Sequence, residues 1–154
     1  TIYKSLDIFY PKFYNMNHLC KLGFVGVEDL LSGHEVFINS IPKDRIATIF
    51  VNHSSSITSD FPHANSLEKK GAIQSPAEFV YTLPNILNGE LAIRNGWSGY
   101  NAFYLKSNFD AAFLKEQLQL AALSQPIDAC ILGYVETNLE ENYYSYRLEL
   151  VSLI

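Results

Sequence analysis

The sequence is poor in the residues that build several common kinds of site. It holds only two cysteines in 154 residues, too few for a disulfide framework or a thiolate metal site. Only 11 lysines and arginines stand against 16 acidic residues, which gives a net charge of −5. Because the basic residues are also scattered along the chain, binding to a phosphate backbone is not expected. The composition therefore argues against a nucleic-acid partner.

Long apolar runs are also missing. No run approaches the roughly 18 residues that span a bilayer, and the chain does not open with the pattern of a secretory signal. We therefore expect no membrane partner and a cytoplasmic location. Apolar residues still make up 48% of the chain, which excludes disorder and, at this length, predicts a single domain over residues 1–154.

Patterns that would hold a metal or a cofactor are absent as well. The four histidines have no ligand spacing, and neither a phosphate loop nor a dinucleotide-binding glycine motif occurs. We therefore expect no metal and no cofactor. Cys20 and Cys130 lie among apolar residues and are predicted to be buried, reduced thiols. Acidic residues in polar stretches are interpreted as solvated loop charges: Asp60, Glu68, Glu136, Glu140 and Glu141.

Alternating periodicities predict a layered α/β fold. Helical spacing of apolar residues covers residues 13–31, 76–95 and 110–123, with Pro84 and Gly89 marking a break in the second helix. Gly23 and Gly26 inside the first helix indicate close packing against another element. Short apolar runs predict strands at residues 45–51, 101–105, 130–135 and 146–153, of which the last two are antiparallel. Residues 53–75 are predicted to be a long loop with one helical turn near residues 65–70.

A set of some ten positions shares its order and spacing with a known enzyme family. The set comprises Ser75-Pro76-Ala77-Glu78-Phe79, Asn85, Gly89, Glu90, Ala92, Ile93, the run Gly96-x-x-Gly99-x-Asn101, and Gly133-x-x-Glu136. Taken with the helix at residues 110–123, it resembles the amino-terminal half of β-ketoacyl synthases. The resemblance covers roughly residues 13–154. It is strongest with the short ketosynthase-like proteins of bacterial aryl-polyene and flexirubin-type pathways, where Tyr10-Pro11-Lys12-Phe13, Met16 and Leu22-Gly23 also fit.

The resemblance implies half of a thiolase-like fold, a mixed five-stranded sheet with flanking helices. Residues 110–123 would be its central helix, buried on nearly all sides. Whether residues 1–9 supply the first strand, or an upstream segment does, stays open.

The chain departs from the family at the catalytic positions. The family's nucleophilic cysteine falls at Asn108, within Lys106-Ser107-Asn108-Phe109, and an amide cannot act as that nucleophile. The family's two catalytic histidines lie in its second half and have no counterpart here. The resemblance thus implies no catalytic residue and no enzyme activity for the chain alone, and Asn108 serves equally well as the N-cap of the helix starting near Asp110.

The implied role is a chain-length-factor-type subunit that pairs with an active β-ketoacyl synthase in polyene- or fatty-acid-type biosynthesis. Acyl carrier protein would then be an indirect partner, since an acidic chain offers it no basic surface. The expected tunnel and interface residues are Phe79, Thr82, Leu83, Ile86, Phe103, Tyr104, Ser107, Asn108 and Phe109. The strand at residues 101–105 would pair across a dimer axis.

Two alternatives stay open at this point. The first is a homodimeric structural relative of the ketosynthases without activity. The second is a small serine-dependent acyl hydrolase or transferase that uses Ser107, or the run Ser54-Ser55-Ser56, with His53 as the base.

Overall fold

The computed structural model describes residues 2–68, 75–139 and 143–154. These ranges form a four-stranded sheet with helices on both faces. The helices are α1 (Ile2–Ser5), α2 (His18–Leu31), α3 (Glu35–Ser40), α4 (Ile57–Leu67), α5 (Pro76–Val80), α6 (Ile86–Asn95) and α7 (Ala111–Ser124). The strands are β1 (Ile46–Asn52), β2 (Asn101–Leu105), β3 (Ala129–Thr137) and β4 (Tyr144–Ser152), and 3-10 turns cover Pro11–Asn15 and Lys43–Arg45.

The sheet has the strand order β2-β1-β3-β4. β1 pairs in parallel with both β2 and β3, whereas β4 runs antiparallel to β3. The four strands located from the sequence are confirmed to within two residues at either end, as is the antiparallel final pair. The expected fifth strand is wrong for the described residues: Ile2–Ser5 is helical, and the Tyr3 ring stacks on Phe13 instead.

Two apolar clusters hold the helices to the sheet. β1 is buried along its whole length, and its side chains alternate between the two clusters. On one face Phe50 packs with residues of α2 and α6; on the other, Ile49 and Val51 pack with Leu114 and Leu118 of α7. The predicted layered α/β arrangement is therefore confirmed.

Helix α2 packs closely because two of its residues have no side chain. A Cβ at Gly23 would overlap the Leu87 side chain of α6, and a Cβ at Gly26 would come within 2.9 Å of the Tyr146 ring of β4. The close packing predicted for these glycines is confirmed. The helix begins at His18 rather than at residue 13, since the Asn17 side chain accepts a hydrogen bond from the Cys20 N–H at 2.8 Å and caps it.

Two further predictions about helices agree with the structure only in part. The stretch interpreted as a loop contains the 11-residue helix α4, while the end of that predicted loop, residues 69–74, lies outside the described residues. The break predicted within the helix over residues 76–95 is confirmed at Pro84, where a turn separates α5 from α6, whereas Gly89 lies inside α6. The predicted start of α5 is confirmed, because the Ser75 side chain accepts the Glu78 N–H and Pro76 is the first helical residue.

Helix α7 is only half buried in this chain. Leu114, Leu118 and Ala121 face the sheet, but Leu120 is 55% exposed and Leu123 is 86% exposed. The prediction of a helix buried on nearly all sides is therefore wrong for the isolated chain. The sheet covers one face of α7, and no described element covers the opposite face.

None of the helices within the described ranges is both long and apolar enough to cross a bilayer.

Candidate functional site

The carboxyl ends of the three parallel strands meet at one edge of the sheet. The crossover from β1 to β2 includes α6 and packs on one face of the sheet, whereas the crossover from β2 to β3 is α7 and packs on the other face. In open α/β sheets, ligands bind at the carboxyl ends of the strands where the direction of the crossovers changes. A cavity of about 320 Å³ occupies the edge. Its lining residues follow or end the strands: His53, Ser54, Ser107, Tyr134, Glu136, Asn138 and Tyr143.

Glu136 is the buried carboxylate of this cavity. It is 4% exposed, and its Oε2 accepts the backbone N–H groups of His53 at 2.8 Å and Ser54 at 3.3 Å, together with the Tyr134 hydroxyl at 3.1 Å. Its Oε1 is buried without a hydrogen-bond partner among the described residues. The interpretation of Glu136 as a solvated loop charge is wrong, because the residue lies within β3 and binds the loop after β1.

The Glu136 carboxylate also acts on its neighbour. Burial, followed by the negative charge of Glu136 and the hydrogen bond to it, raises the pKa of Tyr134 well above its ordinary value. Tyr134 therefore stays a neutral hydrogen-bond donor toward this carboxylate. Of the other acidic residues interpreted as solvated, Asp60 accepts a hydrogen bond from Ser56, Glu68 is exposed, and Glu140 and Glu141 lie outside the described residues.

Removing the charge of Glu136 tests how much this contact matters. We expect Glu136→Gln to lower the free energy of unfolding by about 1–3 kcal/mol, since hydrogen bonds to a charged acceptor contribute about that much. Urea denaturation followed by circular dichroism measures the change. Glu149→Gln on the exposed side of β4 is the matched control, for which a change within about 0.5 kcal/mol is expected. Equal effects of the two substitutions would contradict this role of Glu136.

The turn after β2 holds Asn108, the residue at which the resemblance predicts the family's nucleophilic cysteine. Asn108 is exposed there, and it is not the N-cap of α7. Asp110 is the cap: its Oδ1 accepts the N–H groups of Ala112 at 3.0 Å and Phe113 at 3.2 Å. The Phe113 N–H lowers the pKa of Asp110, and so does the Lys106 ammonium, whose Nζ lies 3.6 Å from Oδ2. The prediction that Asn108 can serve as the N-cap of this helix is therefore wrong.

Of the serine and histidine candidates, His53, Ser54 and Ser107 line the cavity, but they form no catalytic relay among the described residues. Glu136 binds the backbone N–H of His53, and no described hydrogen bond joins the His53 ring to a serine hydroxyl. Ser56 is fully buried and donates to the Thr82 carbonyl and to Asp60. The contacts that a serine hydrolase needs are therefore missing among the described residues.

The aromatic residues of β2 and its turn point to both faces of the sheet. The Phe103 ring packs against Phe50 in the first cluster, and the Tyr104 ring contacts Phe113 of α7 edge-on at 5.2 Å. A hydrogen bond with Tyr100, followed by burial, raises the pKa of Tyr104 to about 12. Phe109 packs against Tyr134, so it borders the cavity's wall.

Four of the expected tunnel and interface residues do not line this cavity: Phe79, Thr82, Leu83 and Ile86. Phe79 ends up in α5 and is 55% exposed, and Leu83 in the following turn is 46% exposed. Thr82 lies in that turn and its carbonyl accepts the Ser56 hydroxyl, while Ile86 begins α6 and packs on the first cluster. Within the described residues, these four side chains do not form an enclosed tunnel wall.

Asn88 is a polar residue of α6 that the sequence did not single out. Its Nδ2 donates to the Thr48 carbonyl at 3.1 Å, to the Thr48 hydroxyl at 2.9 Å and to the Ala102 carbonyl at 3.3 Å. It therefore fixes α6 to β1 and β2 together. A helical asparagine between apolar neighbours carries no local signal of such a role.

Neither cysteine is placed for chemistry. Cys20 and Cys130 are both free and buried, and burial raises the pKa of both thiols, that of Cys130 to about 12. We expect iodoacetamide to leave both thiols unmodified at pH 8 in the folded protein, and to modify both in 6 M guanidinium chloride. Mass spectrometry of the two samples measures this, and rapid labelling of either thiol in the folded protein would contradict it.

Within the described residues, no group of three His, Cys, Asp or Glu side chains lies close enough to hold a metal ion.

Comparison with known proteins supports the fold. No protein-family model matches the chain, and no curated protein matches it in sequence. The structure is similar to a chain of the complex between the ketosynthase ApeO and its chain length factor ApeC from Xenorhabdus doucetiae, with a TM-score of 0.68 and 11% identity. The match covers 95% of this chain and 61% of that chain. The predicted half of a thiolase-like fold is therefore confirmed.

Proposed function

We propose that this chain, which carries half of a thiolase-like fold, is a non-catalytic subunit of the chain-length-factor type. It pairs with an active β-ketoacyl synthase and shapes the acyl tunnel of that enzyme. The observation that supports the proposal is Asn108, which is exposed in the turn between β2 and α7, where the resemblance predicts the family's nucleophilic cysteine. The similar solved structure is itself a ketosynthase bound to a chain length factor.

The edge of the sheet supplies the pairing surface. β2 is the terminal strand, and the Tyr100 carbonyl and Lys106 N–H bond to β1. Because strand groups alternate in direction, the N–H and C=O groups of Asn101, Phe103 and Leu105 point toward the open edge. An unpaired edge of this kind accepts a strand from another subunit. Antiparallel pairing there would extend the sheet and bury more than roughly 2,000 Å² in total.

The tunnel wall would be completed by the partner. Phe79 and Leu83 are exposed apolar residues of this chain, and burying them against a synthase removes apolar surface from water. Their bulk would then limit how far an acyl chain extends, as a matter of packing. The partner supplies the cysteine and histidines for condensation and receives the acyl carrier protein.

Co-expression with a β-ketoacyl synthase from the same genome tests the proposal. We expect the two chains to co-elute in size-exclusion chromatography, and condensation to require both. Asn108→Ala should leave the condensation rate unchanged, whereas replacing the synthase's cysteine abolishes it. A homodimer that does not bind the synthase would favour the alternative, a homodimeric structural relative of the ketosynthases without activity. Condensation by this chain alone would contradict both hypotheses.

Product length provides the second readout. Leu83→Ala should lengthen the products of the pair, because it removes side-chain volume from the proposed wall. Val36→Ala, at a position 89% exposed on α3, is the control and should leave the product distribution unchanged.

A further inference from the structure

A second hollow, of about 590 Å³, lies between the N-terminal segment, helix α2 and strand β4. It shares no lining residue with the cavity at the carboxyl ends of the strands. Its size falls within the range of about 300–1,000 Å³ that is usual for small-molecule sites. The proposed subunit role makes no use of it.

Aromatic rings build the walls of this hollow. The Tyr3 and Phe13 rings are stacked with centroids 3.9 Å apart, and the Tyr14 ring meets Phe13 edge-on. From the opposite side, Tyr144 of β4 contacts the His18 ring at 5.8 Å. Leu22 and Val25 of α2 complete an apolar lining. The surface is therefore suited to a ligand whose body is apolar and flat or chain-shaped.

The charges at this hollow are all basic. Lys4 and Lys21 line it together with His18, and no aspartate or glutamate does, although the chain has 16 acidic residues against 11 lysines and arginines. Neither lysine forms a salt bridge within the described residues. The Lys21 ammonium lies 6.0 Å from the centroid of the Phe13 ring, which lines the hollow. A positive charge beside this apolar wall favours a negative charge on the ligand.

We propose that this hollow binds a small organic anion with an apolar body, of which medium-chain carboxylates are the simplest. The apolar body would lie against the rings of Tyr3, Phe13 and Tyr144. Its anionic group would lie at the rim, within reach of Lys4 and Lys21.

Titration with 8-anilinonaphthalene-1-sulfonate, an apolar aromatic anion, tests the site. We expect saturable binding of one dye per chain, displaced by decanoate at concentrations at least tenfold lower than by the uncharged decan-1-ol. Lys21→Glu should weaken dye binding fivefold or more. Lys43→Glu makes the same change of net charge at an exposed position outside the hollow and should leave binding within twofold of the unmodified protein.

Filling the hollow provides an independent test. Leu22→Trp adds volume to the lining and should abolish dye binding, whereas Leu123→Trp, at an exposed position on α7, should not. If Leu22→Trp does not fold, the two lysine variants and the competition between decanoate and decan-1-ol still test the proposal. Non-saturable dye binding, equal displacement by decanoate and decan-1-ol, or equal affinities of Lys21→Glu and Lys43→Glu would overturn the proposal.

Discussion

Replacing Gly133 with alanine is expected to leave little or no folded protein. Gly133 lies in the middle of β3 at a φ of 156°, and a Cβ there would overlap the Arg147 carbonyl of β4 and lie 2.9 Å from the Leu148 Cα. These neighbours are backbone atoms of a paired strand, so no side chain can rotate away. Backbone strain and overpacking together cost about 2–6 kcal/mol, a large part of the roughly 5–15 kcal/mol that stabilises a domain.

Urea denaturation of the soluble fraction measures this effect, and Gly89→Ala is its control. Gly89 lies inside α6 with no atom near the position of a Cβ, so alanine there should stabilise the chain by up to about 1 kcal/mol. A Gly133→Ala protein as stable as the unmodified chain would mean that β3 and β4 do not approach as closely as described.

Leu105→Pro is expected to separate the chain from the proposed synthase partner while leaving the chain itself folded. The backbone N–H of Leu105 points to the open edge of β2, so proline removes a donor to the incoming strand and no bond to β1. The lost hydrogen bond and the partner's unpaired acceptor cost about 2–4 kcal/mol. Association should therefore weaken about 30- to 700-fold.

Analytical ultracentrifugation of the complex measures the association, and thermal denaturation verifies that each variant is folded. Leu105→Ala keeps the N–H group and is the matched control, because Leu105 is already 56% exposed. Aspartate at Phe103 or Tyr104 would also disrupt the proposed dimer. Because the two rings pack on the faces of the sheet, these substitutions would unfold the chain as well. Equal association of the proline and alanine variants would contradict pairing through β2.

Much of the fold could be predicted because its causes are local in sequence. The unbroken apolar run of β1 indicates a strand buried on both faces, and Ser75-Pro76 indicates the start of α5. Helix α4 was missed because nothing local favours it: its residues are mostly polar, and Pro62 lies inside it. Distant contacts support it, such as the 2.8 Å hydrogen bond from Asn17 Nδ2 to Ser59 Oγ.

The candidate site was less predictable for the same reason. Ser107 and His53 could be identified as candidates from their residue types, but whether they line the same cavity depends on the order of the strands. Glu136 stands in a polar stretch that suggests solvent, yet its partners are N–H groups more than 80 residues away. The glycines of the family resemblance could be recognised by their spacing. A Cβ at Gly99 would overlap the Ile46 carbonyl, so this glycine serves packing rather than chemistry.

The Asp110 cap has a consequence for any attempt to place a reactive cysteine in this turn. A cysteine becomes a good nucleophile when a helix N-terminus or a nearby cation stabilises its thiolate. Here both sources of positive potential are already engaged, because Asp110 binds the first N–H groups of α7 and pairs with Lys106. A thiol introduced at Asn108 would meet a carboxylate that disfavours its ionisation. A reactive thiolate at this position would therefore require a change of the helix cap as well as the Asn108→Cys substitution.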